Sequence, residues 1–331
     1  MRIRLLAASL MTAIAALPSA AQCIGDTNED GTVNTNDLLQ ALSDWGPCDP
    51  SCSSDLDDSG QVDVSDILSL IELWGDCDLV EPSTRLFELD FEQRSIGLYD
   101  EDMLDEDWQE PTWSQGVDDG RVSIIETDDG QNLALSVLYP QGEYGTSNTG
   151  GQWKLLFDES HDAIRLSYRL RFESPFDFVK GGKLPGLIGG EGNTGGGVPD
   201  GTDGWSARMM WRNDGDMMQY VYHPDQPENY GDNMYWEEDG ETLQFIPGQW
   251  HEVVHEIRIN TPGLNDGSIR GWLDGELVLE RTDMRFRDVD DFAIDGLYFS
   301  TFFGGGSSSW STTKDETILF DDFMIESLDP D

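Results

Sequence analysis

A serine, two arginines, a lysine and two tyrosines carry the strongest chemical signal in this 331-residue sequence. In Gly204-Trp-Ser-Ala-Arg-Met-Met-Trp-Arg212, Ser206, Arg208 and Arg212 fall on one parity, with Met210 between them. Trp205, Ala207, Met209 and Trp211 take the other. That alternation predicts a strand with one face in a core and one face free to work. After Asn213-Asp214-Gly215, Tyr220 and Tyr222 lie two apart and share a face. A turn between two alternating runs reads as a hairpin. A three-residue loop with Gly215 left-handed sets Arg212 opposite Asp216, Arg208 opposite Tyr220 and Ser206 opposite Tyr222. A two-residue loop would scatter this polar set over both faces, so the odd loop is the expectation.

Upstream, Lys183 sits in Gly-Gly-Lys-Leu-Pro-Gly-Leu. Together Lys183, Ser206, Arg208, Tyr220 and Tyr222 resemble the active-site pattern of polysaccharide lyase family 14, alginate and glucuronan lyases built on a β-jelly roll. Tyr298-Phe-Ser-Thr-Phe-Phe-Gly-Gly and Phe320-Asp-Asp-Phe resemble that family's last strands, so the likeness spans most of 86–327. It implies β-elimination from an anionic polysaccharide. Such a reaction removes the C5 proton beside a uronate carboxylate and expels the O4 substituent. The carboxylate must be neutralised, a base must reach C5 and an acid must reach O4. A tyrosine, with a reference pKa of ~10, serves as either when a neighbouring cation favours its phenolate. The expected roles are carboxylate neutralisation for Arg208 and Lys183, with Lys183 also a candidate base. Tyr220 and Tyr222 share the acid and base roles, and Ser206 positions a substrate oxygen. No metal is required for catalysis.

Charge placement points the same way. Residues 162–212 hold seven bases (Arg165, Arg169, Arg171, Lys180, Lys183, Arg208 and Arg212) against six acids, whereas the rest of 85–331 holds ten against 45. The near-neutral stretch is expected to form a cationic groove, with Lys180 at its rim. A Gly-rich insert between Gly189 and Gly204 is expected to shape that rim. His161, His223, His251 and His255 show no metal-ligand spacing; His251 and His255 read as structural, and His223 adjoins the tyrosine pair.

Two rival functions come from other classes. Glu88-Leu-Asp-Phe-Glu92 matches the strand motif of laminarinase-like glycoside hydrolases, where two carboxyls on one face ~5 Å apart retain configuration. Its position in an opening strand argues against that reading. A non-catalytic carbohydrate-binding module is the other rival, disfavoured by the survival of all five polar positions.

The elements that position these residues form an all-β jelly-roll domain over 86–331, read from short alternating runs separated by Gly, Asp and Asn. Its first strand, around Phe87, is expected to pair with its last, around Phe320. Residues 1–21 read as a secretory signal peptide: Arg2 and Arg4, an apolar run, then small residues before Gln22. The mature chain is expected outside the cell. A net charge of −47 excludes nucleic acid and anionic membranes as partners.

Residues 22–78 repeat one unit at a period of 29, in which Cys23, Trp45 and Cys48 recur as Cys52, Trp74 and Cys77. Each copy opens on a loop of oxygen ligands of the EF-hand kind. The first offers Asp26, Asn28, Asp30, Thr32, Asn34 and Asp37 around Gly31; the second offers Asp55, Asp57, Ser59, Gln61, Asp63 and Asp66 around Gly60. One amphipathic helix follows each loop. The duplication, with Asp where many such loops end in Glu, resembles a type I dockerin, which implies structural Ca2+ and a cohesin-like partner. Disulfides Cys23–Cys48 and Cys52–Cys77 are expected, each closing its own repeat, out of three possible pairings. Residues 79–85 are the linker.

Overall fold

The computed structural model describes residues 25–28, 32–48, 52–57, 59–76, 83–127, 130 and 132–328. Residues 1–21, expected to be a signal peptide, and Cys23, Asp30, Gly31 and Cys77 lie outside the described residues. The chain divides into two compact units, Met1–Pro82 and Ser83–Asp331.

In the first unit, helices α1 (Thr35–Ser43) and α2 (Val64–Glu72) each begin with a capping box. Asn34 and Asp63 accept from Asn36 N–H and Ser65 N–H, while Asp37 and Asp66 reach back to the N–H of Asn34 and Asp63, at 2.8 Å in both. These bonds satisfy donors that a helix start leaves open. The repeats then pair crosswise: Thr32–Val33 with Gly75–Asp76, and Gly46–Pro47 with Gln61–Val62. Among the described residues the fully buried shared core is Val33, Ala41, Val62 and Leu70, too little to hold such a module by burial alone. The disulfide expectation needs correction, because Cys48 is bonded to Cys52. Pairing of Gly46–Pro47 with Gln61–Val62 brings the seam between the repeats together, and the two Cα atoms there are 5.9 Å apart.

The second unit is a two-sheet β-sandwich. Its strands are β1 (Thr84–Leu89), β2 (Val122–Glu126), β3 (Leu133–Tyr139), β4 (Gly151–His161), β5 (Ala163–Phe172), β6 (Gly181–Gly190) and β7 (Gly204–Arg212). Then come β8 (Met217–Tyr222), β9 (Asp232–Tyr235), β10 (His251–Arg258), β11 (Gly267–Leu273), β12 (Glu276–Met284), β13 (Ile294–Phe303) and β14 (Glu316–Ser327). One sheet runs β9-β8-β7-β6-β13-β4, with Ser114–Gln115 at its edge. The other runs β12-β11-β10-β5-β14-β3-β2 and ends on Gly97–Leu98. First and last strands pair as expected, with Phe323 opposite Leu89 and Ile325 opposite Phe87.

Alternation decides which residues meet between the sheets. Trp205, Ala207, Met209 and Trp211 of β7 join Trp153 and Phe299 in the core, against Leu166, Tyr168, Leu170, Phe320 and Phe323 from the other sheet. Trp153 and Phe299 stack at 4.0 Å, and Trp108 of helix α3 (Glu101–Trp108) packs edge-on against both. With one parity of β7 committed to this core, its other parity faces outward.

Candidate active site

The outward face of the first sheet gathers the polar set. β7 and β8 pair with Ser206 opposite Tyr222 and Arg208 opposite Tyr220, which is the expected register. The loop is Asn213–Gly215, and Arg212 N–H bonds Asp216 O at 2.8 Å. Asp214 as well as Gly215 adopts positive φ there, at 62° and 89°. Strand pairing extends one row across five strands: Lys154, Tyr298, Gly186, Arg208 and Tyr220. Gly186 stands where it does because any Cβ would meet Ala207 O at 2.1 Å. Lys183 reaches the same face although it is three residues from Gly186, because the register shifts between them. At this bulge Tyr168, rising from the opposite sheet, donates its hydroxyl to Pro185 O at 3.1 Å.

The face is recessed. Lys183, Arg208 and Tyr222 are 8%, 3% and 2% exposed. One wall is the Gly-rich insert: Gly196 N–H donates to Tyr222 Oη at 3.1 Å, and Ser206 Oγ donates to Asn193 O at 2.6 Å. The other is Trp310, which packs on Met210, Met218, Tyr220 and Tyr222. A cavity of about 360 Å³ lies inside the insert, but Glu191 and Asp203 line it and would repel a carboxylate. The tyrosine-bearing face is the better receptor for an anion.

Electrostatics set this face apart. Among the described residues, five cations of the sandwich have no acidic partner in ion-pair contact: Lys154, Lys180, Lys183, Arg208 and Arg212. The other twelve are ion-paired. Burial, with Arg208 and Arg212 nearby, pushes the Lys183 amine well below the ordinary lysine range. Its Nζ lies 3.9 Å from the Tyr220 ring centroid and 2.8 Å from Met210 Sδ. Burial, reinforced by Tyr222, raises the Tyr220 phenol above its usual value. Arg208 donates to Ser300 Oγ at 3.1 Å and lies over the Tyr298 ring, leaving its Nε buried and unpartnered.

Sequence reasoning overlooked the support beneath Arg208. Gln152 Oε1 accepts from Tyr298 Oη at 2.8 Å and from Ser300 Oγ at 3.1 Å. The shared parity of Tyr298 and Ser300 was the available signal; nothing local marks Gln152. The cationic stretch also needs correction. Arg165, Arg169 and Arg171 lie on β5 in the other sheet, outward of Leu166, Tyr168 and Leu170, and are paired to Glu256, Asp322 and Glu173. Chain proximity placed them with Lys183; the crossover between sheets separates them.

Comparison with known proteins now bears on this arrangement. The family model of polysaccharide lyase 14 matches residues 127–323, more than half of the chain. The chain belongs to polysaccharide lyase family 14. Among solved structures it is similar to the alginate lyase Aly36B, with 26% identity, a TM-score of 0.63, and coverage of 73% of this chain and 96% of that one. It is also similar to the marine alginate lyase from Aplysia kurodai, with 28% identity, a TM-score of 0.61, and coverage of 73% and 98%. Comparison with curated protein sequences gives no match.

As a family 14 polysaccharide lyase the chain is an enzyme, which removes the binding-module rival. The hydrolase rival fails on geometry. Glu88 pairs with Arg85 on exposed β1, and Glu92 accepts Leu133 N–H at 2.8 Å. Both belong to segments of the other sheet, away from the tyrosine face. His251 bonds Asp274 and His255 is buried in the interior beside Gln219, so both are structural. His223 approaches Asp232 at 3.4 Å, one strand beyond the tyrosine pair.

The lyase's N-terminal loops carry oxygen donors suited to a cation. In the second, carboxylate oxygens of Asp55, Asp57 and Asp66 lie within 4.8 Å of one another. Asp55 accepts from Ser59 N–H and Gly60 N–H, and Gly60 takes the positive φ of 81° that the sharp turn needs. Hard oxygen donors converging in this way fit Ca2+. In the first loop Asp37 is buried and accepts from Thr27 N–H at 2.8 Å, while Asp30 lies outside the described residues.

Proposed function

We propose that this lyase cleaves an alginate-type polyuronate by β-elimination, with Lys183, Ser206, Arg208, Tyr220 and Tyr222 as its working residues. The observation that carries this reading is the coincidence of the unpaired cations with the tyrosine pair on one sheet face. The two structural relatives named above are alginate lyases, and Aly36B is also described, as a mutant, in complex with an alginate trisaccharide.

Roles follow from the electrostatics. Arg208 keeps its charge and has a buried Nε without a partner, so it takes the uronate carboxylate. Lys183 is held toward its neutral form and so suits the base. Its Nζ takes the C5 proton, the electron pair forms the C4=C5 bond, and the C4–O4 bond breaks. Tyr220, kept protonated by burial, delivers its proton to the leaving O4. Tyr222 and Ser206 hydrogen-bond ring oxygens and align the sugar. This chooses among roles the sequence left open, where the tyrosines shared both proton roles and Lys183 was also a candidate base. The test is an assay of polymannuronate, polyguluronate and polyglucuronate for an ultraviolet-absorbing unsaturated end. At least one should respond and neutral glucans should not; reducing ends appearing without unsaturation would overturn the reading.

The N-terminal unit is proposed as a secreted enzyme's Ca2+-dependent docking module with a cohesin-like partner. Its loop carboxylates support the metal. Its exposed apolar residues repeat at the 29-residue period: Leu39 with Leu68, Leu42 with Ile71, Trp45 with Trp74. Calorimetric titration with Ca2+, and with a cohesin in its presence, checks both parts.

A further inference from the structure

Two of the five unpaired cations are not used by the proposed chemistry. Arg212 ends β7 on the outward parity, four residues and so about 13 Å along the strand from Arg208. Lys180 precedes β6 and is exposed, with only Ser309 Oγ as a partner at 2.8 Å. Both point at one indole. Lys180 Nζ is 5.9 Å and the Arg212 guanidinium 5.7 Å from the Trp310 ring. Trp310 is only partly buried, and it packs against the cluster that Met210, Met218 and the two tyrosines form. Gly305 lies close beneath, since a Cβ there would meet the indole at 2.1 Å. A half-exposed aromatic plane flanked by two cations without an acidic partner stands out in a chain of net charge −47, and it matches an anion that carries an apolar face.

We propose that Trp310, Lys180 and Arg212 form a second uronate-binding subsite at the hairpin end of the face, beyond the sugar whose bond is broken. The indole packs against the pyranose ring and the two cations hold its carboxylate. The proposal rests on the polyuronate reading above and deepens it. It makes the enzyme one that engages several consecutive sugars, so that affinity rises with chain length until this subsite is filled.

Trp310→Leu and Lys180→Met test it while leaving the five working residues themselves unsubstituted, and Lys180→Met also leaves the packing around the tyrosines unchanged. Leucine keeps apolar cover over Met210 and Tyr220 but removes the plane. On the polyuronate that the parent cleaves best, KM should rise about tenfold in Trp310→Leu and severalfold in Lys180→Met, with kcat within about twofold. On the shortest cleaved oligosaccharide of the same uronate the KM difference should vanish, because that substrate does not span both subsites. Parent-like KM on polymer overturns the proposal, and so does an equal loss on short and long substrates. A fall in kcat alone would make Trp310 a support for the tyrosines, which also overturns it. If the parent cleaves no polyuronate, the functional reading fails separately. Retardation in gels containing polymannuronate, polyguluronate or polyglucuronate then decides the subsite. Retention of the parent and its loss in both variants supports it; parent and variants migrating alike overturns it.

Discussion

Lys183 holds an amine that its surroundings do not favour as a cation, since burial, Arg208 and Arg212 all oppose the charge. Two consequences follow for one substitution. Lys183→Met should lower kcat by ~10²–10⁴ if the amine is the base. The same change should raise the melting temperature, by about 2–4 °C for each kcal/mol recovered. The sign follows from linkage: a lysine whose folded pKa is lowered costs stability below that value, and the cost disappears above the unfolded pKa of ~10.4. The stabilisation of Lys183→Met should therefore shrink as pH approaches that value. A variant that is inactive and also less stable would contradict this account. Tyr220→Phe should be equally inactive with its fold intact. In the parent, the rising limb of kcat with pH should lie below the ordinary lysine range, because the base must be neutral. The falling limb should lie above the ordinary tyrosine range, because the acid must stay protonated.

At the scale of elements, the close approach of β6 to β7 positions Arg208. Gly186→Ala would place a Cβ 2.1 Å from Ala207 O and 2.5 Å from Arg208 Cα, so the strands must part. The expected cost is about 1–3 kcal/mol of stability, with a larger loss of kcat than of fold. Thermal unfolding and turnover measured on one preparation check it; an active, stable variant would show that the row across the sheet is not under tension at this point. The hairpin was legible in advance because β7 alternates strictly and its turn residues fixed an odd loop. The bulge between Lys183 and Gly186 was not, since Leu184 and Pro185 offer no periodic signal of where the extra residue goes.

The whole molecule adds two further expectations. His255 lies in the interior without exposure, and burial lowers its pKa to about 3. Its neutral form contributes stability above the unfolded value of ~6.5, and that contribution is lost as pH falls toward about 3, because the unfolded chain then binds the proton first. His255→Gln should flatten the melting temperature's dependence on pH across that window; an unchanged slope would exclude this histidine as its source. Chelation should lower the unfolding temperature of the N-terminal unit and leave lyase turnover largely intact, since the tyrosine face draws on residues of the sandwich alone. Immediate loss of turnover, restored by Ca2+, would tie the two units together functionally.

Several features were written in local residue types. The sandwich class, the outward parity of Ser206, Arg208 and Arg212, the register with Tyr220 and Tyr222, and the 29-residue duplication all follow from short-range periodicity. Periodicity cannot say which distant strands become neighbours. Tertiary structure alone sent Arg165, Arg169 and Arg171 to the opposite sheet and paired the first two with Glu256 and Asp322. It brought Lys154 of β4 into the row of Arg208, set Gln152 beneath Tyr298 and Ser300, and packed Trp310 against the cluster of Met210, Met218 and the tyrosines. Each of these depends on contacts between segments that sheet crossovers bring together, and spacing along the chain encodes no such distance.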